Sequence, residues 1–125
     1  MNLLLDTHVL IWALENNPKL SDQARAAIID GSNVVFVSSV SAWEISIKKA
    51  TGKLKVPDNL FEEINLHRFT PLNINFDHAQ LAGKLPAIHK DPFDRMLIAQ
   101  AMIEKLCLVS RDSLFTQYDV KLLGA

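Results

Sequence analysis

The sequence has a single cysteine, Cys107, no long apolar run and almost no net charge. One cysteine cannot build a disulfide framework, so we expect a protein of the reducing cytoplasm. The apolar run of residues 3–5 ends at Asp6, which makes it too short for a signal peptide or a membrane span, and we expect no membrane association. The formal net charge of −1 does not by itself indicate a nucleic-acid binder.

The 125 residues have the composition of a globular protein, with 49% hydrophobic and 22% charged residues. This length is the commonest size for one domain and is long enough to bury a real core. No repeat, low-complexity tract or linker interrupts the chain. We therefore expect a single domain over residues 1–125.

Short apolar runs alternate with segments that have helical spacing. The strongest runs, which predict buried strands, are residues 2–5, 34–37 and 106–109, and weaker strands are expected at residues 68–72 and 119–121. Continuous apolar strands separated by helices are typical of a parallel sheet covered on both faces. The pattern predicts an α/β fold, a three-layer sandwich with a central parallel sheet of four to five strands flanked by helices.

The most informative stretch is residues 89–101, which begins polar and becomes an apolar helix at Met96. Asp91 before Pro92 predicts an N-cap followed by proline at the first helical position. Asp94 then falls in the first turn, where free backbone N–H groups and the helix dipole favour negative charge. This helix therefore presents two acids at its start.

Four segments bring acids to the same predicted edge of the sheet. Sites in open parallel sheets lie beyond the carboxyl ends of the strands. Asp6 follows the first strand directly, and Asp112 comes three residues after the third apolar strand ends at Val109. Glu44 lies in the helix after the second strand, and Asp94 begins the helix that leads into the third. We expect Asp6, Glu44, Asp94 and Asp112 to meet at one rim.

Each acid also has a purely structural explanation. Asp6 and Asp91 could be helix caps, and Asp112 is a common turn residue. Glu44 completes a capping box if its helix starts at Ser41, whereas a start near Ser38 puts Glu44 inside the helix, where an unpaired acid is costly. These explanations do not account for all the acids reaching one edge.

Several carboxylates in one pocket repel one another unless a cation compensates their charge. Oxygen ligands without a cysteine pair select a hard ion such as Mg²⁺ or Mn²⁺ over Zn²⁺, and the four histidines show no metal-ligand spacing among themselves. Such a site fits metal-assisted phosphodiester hydrolysis. An aspartyl-phosphate enzyme with Asp6 as nucleophile is disfavoured, because such phosphatases usually carry a second Asp where this chain has His8.

Positive charge is concentrated near these acids. The cations concerned are Lys48, Lys49, Lys53, Lys55, His89, Lys90, Arg95 and Arg111. They are either solvated side chains at helix ends or a basic rim around an acidic pocket.

The chain resembles the PIN-domain ribonucleases, specifically the VapC-type toxins of bacterial toxin–antitoxin pairs. The resemblance covers essentially the full length. It rests on four segments, LLDTHVLIW at residues 4–12, SAWEISIK at residues 41–48, DPFDRMLIAQA at residues 91–101 and SRD at residues 110–112.

The resemblance implies that Asp6, Glu44, Asp94 and Asp112 form the family's catalytic acidic quartet around Mg²⁺ or Mn²⁺. It implies that Asp6 and Asp94 are the principal metal ligands, and that Glu44 serves the metal or orients the attacking water. Asp112 stands where the family carries Asp or Asn.

The resemblance also implies an RNA substrate, a homodimer and a small cognate antitoxin that blocks the acidic pocket. The apolar surroundings of Trp12, Trp43 and Phe61 are candidates for the antitoxin groove, although Trp43 and Phe61 also fit a plain core assignment. The alternative function is a catalytically inactive PIN-like protein-binding module.

Overall fold

The computed structural model describes all residues from Met1 to Ala125 and contains one five-stranded parallel sheet. The strands, in chain order, are β1 (Asn2–Leu5), β2 (Val34–Ser38), β3 (Thr70–Leu72), β4 (Cys107–Ser110) and β5 (Lys121–Gly124). They lie side by side in the order β3-β2-β1-β4-β5, and every pair is parallel. The predicted three-layer α/β sandwich is therefore confirmed.

Six helices cover the two faces of this sheet. They are α1 (Thr7–Glu15), α2 (Asp22–Ile29), α3 (Ser39–Ala50), α4 (Leu60–Leu66), α5 (Phe76–Lys84) and α6 (Pro92–Glu104), and a short 3₁₀ helix follows at Ser113–Gln117. None of them is both long and apolar enough to cross a lipid bilayer.

The core is divided into two halves by the sheet, because successive side chains of a strand point to opposite faces. Leu3 and Leu5 of β1 point into the half that α1, α2 and α4 cover. Leu4 points into the other half, where it joins Leu97 and Ile98 of α6. All three β1 leucines are fully buried, which explains why the strand reads as a continuous apolar run.

The edge strand β5 was misplaced by the sequence pattern. It was expected at residues 119–121, but the ladder with β4 runs from Lys121 to Gly124. Because its side chains are only partly buried, the edge strand has no apolar run to mark its position.

Helix α3 begins after Ser38, whose hydroxyl accepts a hydrogen bond from the Val40 N–H at 3.0 Å. This start excludes the capping box at Ser41 and places Glu44 well inside the helix. Glu44 is buried there and is 4% exposed. The acid therefore needs partners from other elements.

The strand order reverses beside β1, which pairs with β2 on one side and with β4 on the other. Such a switch point opens a crevice at the carboxyl edge of a parallel sheet, because the two flanking crossovers leave in opposite directions. Asp6 lies directly at this point, and its N–H donates to the Val109 carbonyl of β4 at 3.1 Å.

Candidate metal centre

Asp6 joins the end of β1 to the start of α1. Its carboxylate accepts a hydrogen bond from the Val9 N–H at 2.8 Å, so it is the N-cap of the helix. The residue is 8% exposed, and this burial raises the pKa of its carboxyl group even though the Ser110 hydroxyl and the Val9 amide act in the opposite direction. Asp6 thus caps a helix and also presents a carboxyl group whose charge is poorly compensated.

Glu44 has a partner for each of its buried oxygens. The Thr7 hydroxyl donates to Oε1 at 2.7 Å and also lies 3.0 Å from the Ser41 hydroxyl. The Lys48 ammonium, one helical turn away, contacts Oε2 at 2.5 Å. Glu44 therefore links α3 to the start of α1, and each oxygen of this buried carboxylate has a partner.

Asp91 and Asp94 have different environments at the start of α6. Asp91 is the N-cap, and its Oδ1 accepts from the N–H groups of Phe93 at 2.9 Å and Asp94 at 3.4 Å. Burial, and then the nearby charge of Asp91, raise the pKa of Asp94 to about 7, with Glu44 and Asp6 acting in the same direction. Asp94 thus has a carboxyl group whose charged form is disfavoured by burial and by repulsion from three neighbouring acids.

Asp112 follows β4 and caps the 3₁₀ helix through the Leu114 N–H at 3.0 Å. Its other oxygen lies 2.9 Å from Nε2 of His89. Although partial burial acts to raise it, the pKa of Asp112 is lowered, because the Leu114 amide and His89 hydrogen-bond its carboxylate. This is a carboxylate that stays charged.

His89 is a site residue that the sequence indicates only as part of a candidate basic rim, and not as a partner of the acids. Its Nε2 lies 3.2 Å from Asp94 Oδ2 as well as 2.9 Å from Asp112 Oδ2. One atom from each of these three residues could be placed around a single ion, since the atoms lie within 4.8 Å of one another. The one sequence signal for this role is that His89 lies five residues before Asp94. The spacing between the histidines does not reveal it.

The four predicted acids lie around the crevice at the switch point, but the set of three ligand atoms within 4.8 Å of one another is formed by His89, Asp94 and Asp112, without Asp6 and Glu44. Asp6 and Asp112 line one cleft of about 250 Å³ together with His8, Trp12 and Arg111. Asp94 is coupled electrostatically to Asp6 and Glu44, and His89 connects it to Asp112. A larger cavity of about 690 Å³ lies at the opposite edge, near the first residues of β2 and β3, and contains none of the four acids.

Two of the candidate cations for a basic rim instead bind backbone carbonyls. The Arg95 guanidinium donates to the carbonyl oxygens of Ala82, Leu85, Pro86 and His89 at 2.8–3.0 Å. Arg111 packs over the Trp12 ring at 4.5 Å and donates to the carbonyls of Lys19 and Ala125. Lys48 is the lysine that reaches the acids, and its hydrogen bond with Glu44, followed by Asp91 and Asp94, raises its pKa.

The side chains at the crevice fit a hard divalent cation. Apart from the imidazole of His89, the candidate donors are carboxylate oxygens, and no cysteine lies among them. Burial is the main cause of the raised pKa values of Asp6 and Asp94, with neighbouring acids acting in the same direction, and a divalent ion would stabilise both groups in their charged form. The assignment of the four acids as metal ligands stays a prediction.

Two aromatic residues that also fitted a core assignment are exposed. Trp43 is 60% exposed and Phe61 is 42% exposed. Trp43 packs edge-on against Phe93 at 5.3 Å, so this pair connects α3 and α6 beside Glu44 and Asp94. The plain core assignment of Trp43 and Phe61 is therefore wrong.

The fold has close relatives among solved structures. A chain of VapBC2 from Rickettsia felis, bound to a DNA fragment from its promoter, matches with a TM-score of 0.74 at 18% identity, covering 99% of this chain and 98% of that one. DNA-bound VapBC from Salmonella typhimurium matches with a TM-score of 0.70 at 17% identity, and the match covers 99% of this chain and 98% of that one. VapBC-1 from nontypeable Haemophilus influenzae matches with a TM-score of 0.66 at 20% identity, and the match covers 99% of this chain and 98% of that one.

These identities are low enough that the structural likeness speaks for the fold alone. No curated protein matches the sequence. The family model of the PIN domain, however, matches residues 3–121, nearly the whole chain. The chain therefore belongs to the PIN domain family.

Proposed function

We propose that this protein is a metal-dependent endoribonuclease that hydrolyses RNA phosphodiester bonds and acts as the toxin of a toxin–antitoxin pair. The observation that carries the proposal is that Asp6 and Asp112 line one cleft at the switch point of a PIN-family sheet, with Glu44 and Asp94 near enough for the charges of these acids to act on one another. Two of these carboxyl groups have raised pKa values, a typical feature of functional sites.

Asp6 and Asp94 are the acids we assign as principal holders of a Mg²⁺ or Mn²⁺ ion. When bound, such an ion polarises a phosphodiester, makes a nearby water more acidic and stabilises the leaving oxygen. Glu44 is held at both oxygens by Thr7 and Lys48, so it has a fixed orientation from which to align the attacking water. Asp112 stays ionised at the same cleft and contributes negative charge towards the ion.

RNA would approach this cleft from the exposed lysines near the end of α3 and before α6. These are Lys49, Lys53, Lys55 and Lys90, all on the surface. Lys49 is paired with Asp58, which leaves the other three as candidates for phosphate contacts.

The nuclease activity is tested with purified protein, a mixed RNA substrate and Mn²⁺ or Mg²⁺. We expect cleavage that stops when EDTA is added and is lost in Asp6→Asn, whose asparagine can still cap α1. Circular dichroism of Asp6→Asn serves as the folding control. Wild-type protein that cuts no RNA with either ion, or a fully active Asp6→Asn, contradicts the assignment.

The toxin role is supported by the VapBC complexes among the structural relatives. We expect a homodimer and a small cognate antitoxin that covers the acidic cleft. Induced expression of the chain should arrest bacterial growth, and co-expression of the short reading frame beside its gene should relieve the arrest. Arrest that persists unchanged in Asp6→Asn would show that toxicity does not come from this site.

A further inference from the structure

We propose that the Nε2–H of His89 is a shared hydrogen-bond donor that holds the carboxylates of Asp94 and Asp112 in place, and that His89 is a positioning residue and not a metal ligand. Nε2 lies 2.9 Å from Asp112 Oδ2 and 3.2 Å from Asp94 Oδ2. The inference deepens the proposed function and rests on it, because both acids belong to the proposed metal-binding set.

The hydrogen bonds of the ring define its tautomer. The Asp91 N–H points at Nδ1 of His89 at 3.3 Å, so Nδ1 is an acceptor and carries no proton. The proton of the ring is therefore on Nε2, the nitrogen that faces both carboxylates.

The ring is held in this orientation from several sides. His89 is 7% exposed, and its imidazole stacks on Phe115 with ring centres 5.4 Å apart. Its backbone N–H donates to the Tyr118 hydroxyl at 2.7 Å, and Arg95 donates to its carbonyl at 3.0 Å. The donor at Nε2 is thus fixed before any substrate or ion arrives.

The same hydrogen bonds argue against metal ligation by His89, although the spacing of His89, Asp94 and Asp112 would allow it. Ligation through Nε2 requires a free lone pair there, which would move the proton to Nδ1. That proton would face the Asp91 N–H, and the N–H would lose its acceptor. A carboxylate-only ligand set also suits a hard ion better than one with imidazole.

Holding the two acids matters because like charges in one crevice repel. A donor shared between them offsets part of this repulsion, and the Leu114 N–H fixes the second oxygen of Asp112. An ion then meets carboxylates that are already arranged. Residues that orient metal ligands in this way typically change metal affinity by about 10- to 100-fold when they are replaced.

The first test needs no variant and no RNA. Nitrogen-15 NMR of the imidazole in metal-free wild-type protein should show the Nε2–H tautomer, and addition of Mg²⁺ should leave that tautomer unchanged. An Nδ1–H tautomer in the metal-free protein, or loss of the Nε2 proton when Mg²⁺ is added, overturns the proposal.

The second test compares two amide variants at one position. The amide nitrogen of His89→Gln can replace the Nε2–H donor, whereas the amide oxygen of His89→Asn can replace only the Nδ1 acceptor. Calorimetry with Mg²⁺ should give His89→Gln an affinity within about threefold of wild type and His89→Asn an affinity at least about tenfold weaker. Equal losses in the two variants would contradict a donor role.

The two proposals fail in different ways. Wild-type protein that binds Mg²⁺ but cuts no RNA would refute the nuclease and leave the positioning role supported by the tautomer and affinity data. Wild-type protein that binds no Mg²⁺ would overturn both, because there would be no metal site for His89 to arrange.

Discussion

Single residues at the crevice combine a structural task with a proposed chemical one. Asp6 caps α1 through Oδ1 and contributes charge to the cleft, and Asp112 does the same at the 3₁₀ helix. In α6 the structural task and the proposed chemical task belong to two different residues, Asp91 and Asp94. The cap belongs to Asp91, while Asp94 has the carboxyl group with the strongly raised pKa.

The double role of Asp6 is separable by mutation. Asp6→Asn keeps an oxygen for the Val9 N–H and removes a buried charge, so we expect it to be at least as stable as wild type. Asp6→Ala loses the cap and should be less stable than Asp6→Asn by about 1 kcal/mol. Urea denaturation of the two variants measures this difference, and equal midpoints would show that the cap contributes nothing.

Asp94 should make the stability of the metal-free protein depend on pH. Its folded pKa of about 7 lies above its ordinary value of 3.8, so between these values the folded state binds more protons than the unfolded state. The free energy of unfolding therefore falls as the pH rises from about 4 to about 7. Asp6, whose pKa is also raised, adds to this trend.

Urea denaturation in EDTA at about pH 5 and about pH 7.5 tests this dependence. Asp94→Asn should show a smaller loss of stability between the two conditions than wild type, because it cannot ionise. The same loss in both proteins would mean that the environment of Asp94 does not raise its pKa.

At the level of elements, Arg95 connects α6 to the end of α5. The carbonyls of Ala82 and Leu85 lie at the end of α5, where helices leave backbone acceptors unpaired, and Arg95 donates to both at 2.8 Å. It also binds the carbonyls of Pro86 and His89 in the connection between the helices. The segment that carries His89 is therefore anchored to α6.

Replacing Arg95 by lysine should destabilise the protein by about 2 kcal/mol, because an ammonium group cannot span four carbonyls as a planar guanidinium does. Chemical denaturation gives the change, with the exposed neighbour Lys90→Ala as control, expected within about 0.5 kcal/mol of wild type. If Arg95→Lys is as stable as the control, these hydrogen bonds do not hold the helices together.

For the whole molecule, the features that could be predicted from the sequence are those that follow from hydrophobic periodicity and from the parallel direction of the strands. Buried parallel strands such as β1 are continuous apolar runs, so the sheet could be found, and Asp91 before Pro92 marked the start of α6. The meeting of Asp6 and Asp112 could also be anticipated, because the carboxyl ends of parallel strands share one edge.

What the sequence did not predict depends on tertiary packing. His89 reaches two acids only because its ring stacks on Phe115 and its backbone is held by Tyr118, and neither contact has a local signal. Arg95 and Arg111 were candidates for a basic rim, but the carbonyls they bind become neighbours only in the folded chain. The half-exposed strand β5 lacked an apolar run altogether.

The central claim, that Asp94 belongs to the chemistry and Asp91 to the helix, is tested most directly by the rate of RNA cleavage with Mn²⁺. Asp94→Asn should slow cleavage by on the order of 10³, equivalent to the several kcal/mol that a metal site supplies. Asp91→Asn should cleave within about threefold of wild type, because asparagine caps as well as aspartate. Equal rates for the two variants, or an Asp94→Asn protein as fast as wild type, would contradict this assignment.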